Sequence, residues 1–320
     1  MLGNVLYHAV SSYQLLEVML HRMTCHPKDR AVLILPDFIQ DKYPWFRKLE
    51  KGFFDRVYLF PYLEIPHDRE ERIVRRVIRC CEKRIPERIG GFSLIYAAGA
   101  HFYFTLYLIE KRIPFSFLED AAGMLSRPEK LRRELGKKYP LHSAIAQKYG
   151  LFDGSHPLIK EIVCLKRAQS VREDRKHYVD FSVEDQLERI GSAKRRKILR
   201  FFRCRKIWTG AEGILLTQNF AGLHVMNEKQ QEHLYRELAK GPLGGVRLLI
   251  KRHPDDRLDY TGIFPKGRVI KRPFPAELLP YVFFRKPKMV YTVDSTACEN
   301  LRRHFQIEKL YPESEEGERP

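Results

Sequence analysis

Four short stretches hold the side chains best suited to chemistry. KRHPDD follows the run Val246 to Ile250, apolar apart from Arg247, and supplies Lys251, Arg252, His253 and Pro254. LLTQNF supplies Thr217 and Gln218, MVYTVDSTACENL supplies Asp294, Ser295 and Thr296, and FSFLEDAAGM supplies Glu119 and Asp120. An imidazole among cations can stabilise or protonate a departing phosphate, and hydroxyls can hold its oxygens. A carboxylate at a strand end can take the proton of an attacking hydroxyl. Each stretch also has a plainer reading. Basic residues and a proline end strands as solvated turns, Thr296-x-x-Glu299 reads as an ordinary helix cap, and an acidic pair reads as an N-cap in a loop. Three of the four, however, would emerge from one edge of one sheet. There a helix starting at Thr296 would add free N–H groups, its dipole and two hydroxyls. A phosphate-binding cleft is therefore expected.

The elements that must position these residues alternate along the chain. Asn4 to Ala9, Ala31 to Leu35, Val57 to Phe60, Leu94 to Ala97 and Phe115 to Leu118 have the composition of buried strands. Ser12 to Leu20, Arg69 to Lys83 and His101 to Glu110 have helical spacing. Residues 125 to 206 are highly charged, with a helix-like segment around Ser182 to Ile190. Alternation resumes with Ile214 to Thr217, the helix Glu228 to Ala239, and strands at Val246 to Ile250, Arg268 to Ile270 and Met289 to Val293. The expectation is an α/β protein with two Rossmann-like domains whose parallel sheets face a central cleft. The N-terminal domain is placed at residues 1–125, a charged helical connecting region at 126–206 and the C-terminal nucleotide-binding domain at 207–320.

Composition narrows the partners. Apolar and charged fractions of 44% and 31% describe a globular chain, and the formal net charge of +18 favours anionic partners. No apolar run is long enough to span a bilayer, and the first residues lack a basic leader, so a cytoplasmic protein is expected. The six cysteines are scattered and read as reduced thiols. His21, Cys25 and His26 lie too close together for a zinc spacing. Neither GxGxxG nor GxxxxGK[ST] occurs, and no Asp-x-Asp occurs to carry a metal on a nucleotide diphosphate. No metal or cofactor is expected; protein cations and hydroxyls would have to stabilise a leaving nucleotide. The segment KRRKILRFFRCRK, with Lys194, Arg195, Arg196, Lys197, Arg200 and Arg203, is either a solvated helix with a core-facing stripe or a dock for an anionic membrane, with Phe201 and Phe202 inserting if they point outward.

Taken together, Glu119-Asp120, His253-Pro254 and Ser295-Thr296 resemble, in order and spacing, the motifs of bacterial sialyltransferases, meaning glycosyltransferase family 52 and the related capsular polysialyltransferases. VSSYQLLEVML looks like the first strand-to-helix junction of that family, ILLTQNF like the strand opening its second domain, and RPFPAELLP like the segment before the last motif. The resemblance covers residues 4 to 301. It implies a GT-B-type, inverting, metal-independent glycosyltransferase that uses CMP-sialic acid or a similar CMP-sugar. The acceptor would be a glycan or glycolipid of capsule or lipooligosaccharide. The resemblance makes Asp120 or Glu119 the base; the family's glycine follows the acidic pair directly, whereas Ala121 and Ala122 intervene here. It gives His253 the departing CMP phosphate, with Lys251, Arg252, Pro254, Thr217 and Gln218 around the nucleotide. It gives Ser295 and Thr296 the phosphate oxygens and Glu277 the ribose. Two other readings stay open: a CDP-glycerol-type glycerophosphotransferase, and a non-catalytic basic protein on nucleic acid, for which no recognition motif is present. Peripheral attachment to the inner membrane face and a homodimer also remain open.

Overall fold

The structure, a computed structural model, describes residues 3–99, 101–169 and 177–310. It divides into two units, the first ending at Arg203 and the second beginning at Cys204.

The first unit is built on strands β1 (Asn4–His8), β2 (Arg30–Pro36), β3 (Arg56–Phe60), β4 (Leu94–Ala98), β5 (Phe115–Leu118), β6 (Ile159–Cys164) and β7 (His177–Asp180). All pair in parallel, in the order β3-β2-β1-β4-β5-β6-β7. Its helices are α1 (Ser12–Thr24), α2 (Ile39–Lys42), α3 (Glu70–Arg84), α4 (Tyr103–Glu110), α5 (Pro128–Lys138), α6 (Pro140–Lys148), α7 (Val183–Arg189) and α8 (Gly191–Phe201). The strands β1, β2 and β5 are buried almost throughout, as a parallel sheet covered on both faces requires. Chain direction along the sheet reverses between β1 and β4. In such sheets ligands bind beyond the carboxyl ends of the strands at that switch point.

The expected connecting region at 126–206 is not separate. Its segments 159–164 and 177–180 extend the first sheet as β6 and β7, and the first unit runs through α8. These strands escaped the sequence reading because Lys160 and Glu161 interrupt the apolar run of β6, while β7 is a polar edge strand.

The end of α8 also settles which way Phe201 and the following Phe202 point. Phe201 and Phe202 are buried, packing on Tyr43, and Phe201 also meets Phe53. The backbone carbonyl of Phe201 accepts from Trp45 Nε1 at 2.7 Å. The expectation that they could insert into a membrane is therefore corrected: apolar packing draws them into the core. Among the cations expected to dock, Arg195 donates to the Leu187 carbonyl at 2.7 Å, Lys197 to the Gly52 carbonyl at 2.9 Å, and Arg203 lies 3.4 Å over the Trp45 ring. Lys194, Arg196 and Arg200 are exposed.

The second unit carries β8 (Gly213–Leu216), β9 (Leu248–Lys251), β10 (Arg268–Val269), β11 (Met289–Thr292) and β12 (Gln306–Lys309), with α9 (Glu228–Lys240) after β8. The sheet is parallel in the order β10-β9-β8-β11-β12, so its switch point lies between β8 and β11. Leu215, Tyr235, Leu248, Ile250 and Tyr260 centre its core. After β11 the chain forms one 3-10 helix, Thr296–Asn300, in place of the longer helix expected there.

Candidate functional site

In the first unit the switch point gathers three loop starts. Ser11 caps α1 by accepting from the Gln14 N–H, and the Gln14 Oε1 accepts back from the N–H groups of Ser11 and Val10. This reciprocal cap fixes the Gln14 side chain, whose Nε2 donates to Asp120 Oδ1 beyond β5. From beyond β4 comes His101, with Nε2 3.8 Å from Asp120 Oδ2. The turn between them needs a glycine. Gly99 has φ +75°, and a Cβ there would come within 2.4 Å of the Phe102 ring and 3.1 Å of Gln14 Nε2.

The two acidic residues have distinct environments. Glu119 is buried, and its carboxyl accepts from Leu165 N at 2.9 Å, Gly123 N at 3.3 Å and Gln169 Nε2 at 2.5 Å. It ties the β5 loop to the end of β6. Burial pushes it up to about 8 against the pull of these three donors. Gly123, which follows Ala121 and Ala122, takes φ +81° with a would-be Cβ only 3.0 Å from the Ala168 carbonyl. Asp120 keeps 21% of its side chain exposed. Burial raises it to about 6, and the Gln14 donor acts in the opposite direction. His101, lowered to about 4 by burial, is a neutral ring near neutral pH, so its approach to Asp120 is a polar contact and not an ion pair. The His101 carbonyl accepts from His142 Nε2 at 2.6 Å, which holds the loop. Of the acidic pair, the structure thus presents Asp120 as the accessible, raised carboxylate. Gln14 and His101 were not singled out from the sequence. The Ser11-x-x-Gln14 capping spacing was a legible signal for Gln14; His101 had none.

In the second unit the buried carboxylate of Asp256 organises the loop after β9. It accepts from Thr217 Oγ1 at 3.1 Å, Tyr260 OH at 2.6 Å, Gln231 Nε2 at 3.0 Å and Leu258 N at 3.1 Å. Thr217 Oγ1 in turn accepts from His253 N at 3.1 Å. Thr217 is buried and committed to holding the His253 loop. Gln218 Nε2 donates to the Asp294 carbonyl at 2.8 Å, across the switch point from β8 to β11. The half-buried His253 accepts the Asp255 N–H on Nδ1 at 3.2 Å, which leaves Nε2 as the proton-bearing nitrogen of the neutral ring. Arg252 is half-buried and Pro254 exposed.

Three expectations are revised here. Lys251 is buried, with Nζ 4.9 Å over the Phe274 ring and donating to the Arg252 carbonyl at 3.3 Å; burial lowers it to about 8. Glu277, expected at a ribose, is also buried and raised by that burial to about 7, with Lys251 acting against the rise. The Thr296–Glu299 capping box does not form. Glu299 pairs with Arg302 at 2.6 Å and lies 3.7 Å from Lys309, and five residues of 3-10 helix have no macrodipole to offer an anion. Ser295 and Thr296 remain half-buried at the end of β11, where Ser295 N donates to Thr292 Oγ1 at 2.9 Å. Among the described residues no group of three His, Cys, Asp or Glu is placed to hold a metal ion.

Comparison with known proteins bears on the fold. The fold is of the GT-B type. Over 97% of this chain and 80% of the other, it superposes on Medicago truncatula UGT71G1 complexed with UDP-glucose, with a TM-score of 0.56 and 10% identity. A UDP-GlcNAc 2-epimerase from Methanocaldococcus jannaschii, in complex with UDP-GlcNAc and UDP, matches with a TM-score of 0.52 and 11% identity over 92% of this chain and 80% of its own. The glycotransferase of kitacinnamycin matches with a TM-score of 0.50 and 14% identity over 96% and 80% of the two chains. In sequence, an uncharacterized protein of Haemophilus influenzae is 23% identical over 228 residues, 69% of this chain and 70% of that one. No family model matches.

Proposed function

We propose that this protein is an inverting glycosyltransferase that moves a sugar from a nucleotide-activated donor to a glycan hydroxyl. Asp120 carries the reading: a partly exposed carboxylate at the carboxyl end of β5, aimed by Gln14 and raised towards neutrality by burial. In this role it takes the proton from the acceptor hydroxyl as that oxygen bonds to the anomeric carbon. The bond from that carbon to the donor phosphate breaks, the electron pair leaves on the phosphate oxygen, and the Nε2–H of His253 donates a hydrogen bond to that departing phosphate. Arg252, Ser295 and Thr296 supply charge and hydroxyls for the phosphate oxygens, while Lys251, Thr217, Gln218 and Glu277 shape the loops that present them. No step requires a metal.

The order of Glu119-Asp120, His253-Pro254 and Ser295-Thr296 supports CMP-sialic acid or another CMP-sugar as donor and a surface glycan as acceptor. The UDP-sugar ligands of the fold neighbours make UDP-sugars the controls. A thermal-shift screen against CMP, CDP, UMP and UDP tests the reading. A ligand at about 100 times its dissociation constant stabilises by about 2.7 kcal/mol. CMP should raise the melting temperature most; stabilisation by UDP with none by CMP would reject the CMP-sugar assignment.

A further inference from the structure

We infer that the stacked pair Trp208 and Phe284, with the cations around it, docks the protein on an anionic lipid surface. Trp208 is 72% exposed and Phe284 54% exposed, and their rings stack at 4.3 Å with an interplanar angle of 20°. Leaving two large aromatic faces together in water is unfavourable, and contiguous apolar surface of this kind marks a contact site. The pair does not sit on a loose tip. Ile207 and Phe283 form a parallel bridge, Ile207 N donates to the Val282 carbonyl at 2.7 Å, and Phe284 N donates to the Ile207 carbonyl at 3.3 Å. Arg268 fastens the other side by donating to the Trp208 carbonyl at 2.9 Å. Val282 and Phe283 are buried beneath, so the two exposed rings are held outward by a fixed backbone.

The surroundings are cationic. Arg205, Lys206, Arg268, Arg285 and Lys286 are all exposed; Lys206 Nζ donates to the Phe283 carbonyl at 3.1 Å and lies 5.9 Å over the Phe284 ring, and Lys286 Nζ lies 5.1 Å over the Phe305 ring. The segments 204–210, 266–272 and 283–288 contain no Asp or Glu. A small ligand would be enclosed by a concavity, which exposures this high do not allow. An indole with one polar edge beside a phenyl ring, with exposed Lys and Arg in the adjoining segments, matches instead the boundary between acyl chains and anionic head groups. No helix among the described residues is long and apolar enough to cross a membrane. This surface is independent of the α8 cations and of the roles given to Asp120 and His253.

Sedimentation with vesicles of phosphatidylcholine, alone or mixed with phosphatidylglycerol, tests the inference. Wild type should partition onto the mixed vesicles only. Arg285→Ala with Lys286→Ala should weaken partitioning about 30-fold, from about 1 kcal/mol per cation. Trp208→Ser with Phe284→Ser should leave only binding that moderate salt abolishes. All four side chains are exposed, so the variants should keep the wild-type circular dichroism and melting temperature. Tryptophan fluorescence should shift to the blue on adding mixed vesicles, and Trp208→Ser should remove the shift. The inference is overturned if the three proteins partition equally, if wild type does not bind mixed vesicles, or if a single-stranded oligonucleotide displaces the vesicles from it.

Discussion

Glu119→Gln should remove from the first unit a pH response that wild type has. The folded carboxyl, raised from 4.5 to about 8 by burial, keeps a proton that the unfolded chain releases. The sign follows from that. Its contribution is fully present below pH 4.5 and is lost as pH rises through about 8, at about 1.4 kcal/mol per pH unit between these limits. Glutamine does not titrate. It does place an NH2 against one of three donors, and the Gly123 N–H, at 3.3 Å the weakest of the three, is the most easily lost, at about 1–3 kcal/mol. The stability difference, wild type minus variant, should therefore fall by about 3 kcal/mol between about pH 5.5 and about pH 7.5. Urea unfolding at both pH values measures it. The fluorescence of Trp45 should be followed, with Trp208 replaced by Phe in both proteins so that the first unit alone reports. A difference that does not change with pH would refute the argument that burial governs this carboxyl.

Three further outcomes follow from the same geometry. Asp120→Asn should lower transfer about 100-fold or more while leaving CMP affinity unchanged by calorimetry, and wild-type kcat/KM should climb with pH to a plateau above about 6 as Asp120 loses its proton. His253→Ala should also cost about 100-fold or more in initial rate with the fold intact, because its backbone tie to Thr217 survives the change. Asp256→Ala should destabilise the second unit by about 3–5 kcal/mol in chemical denaturation, since it takes the acceptor from the buried donors of Thr217, Tyr260 and Gln231 and from the half-buried Leu258 N–H.

Much of the fold was legible because its central strands are uninterrupted Val, Ile and Leu runs, as in RAVLILP and GILL. The edges were not. β12, QIEK, pairs on one side only and carries three polar residues, so its periodicity resembles a loop. Asp120 and His253, read as strand-end residues, do lie just beyond β5 and β9. Sequence could not say which carboxyl of the acidic pair turns inward, because that depends on Leu165 and Gln169, more than forty residues away. The Thr296–Glu299 spacing was a true capping pattern, but Arg302 and Lys309 claim the glutamate. The central place of Asp256 was hidden for a related reason: its four partners come from the end of β8, α9 and its own loop, and only the fold brings them together.

The central claim is that this chain transfers a sugar from a CMP-sugar, with Asp120 as base. The most direct measurement incubates the purified protein with CMP-sialic acid and a surface glycan acceptor, in parallel with UDP-GlcNAc and with CDP-glycerol, and follows nucleotide release and product mass. The account predicts CMP release coupled to an acceptor heavier by one sugar, abolished by Asp120→Asn. Conversion of UDP-GlcNAc to its epimer, or turnover of CDP-glycerol with CMP-sialic acid left intact, would contradict it.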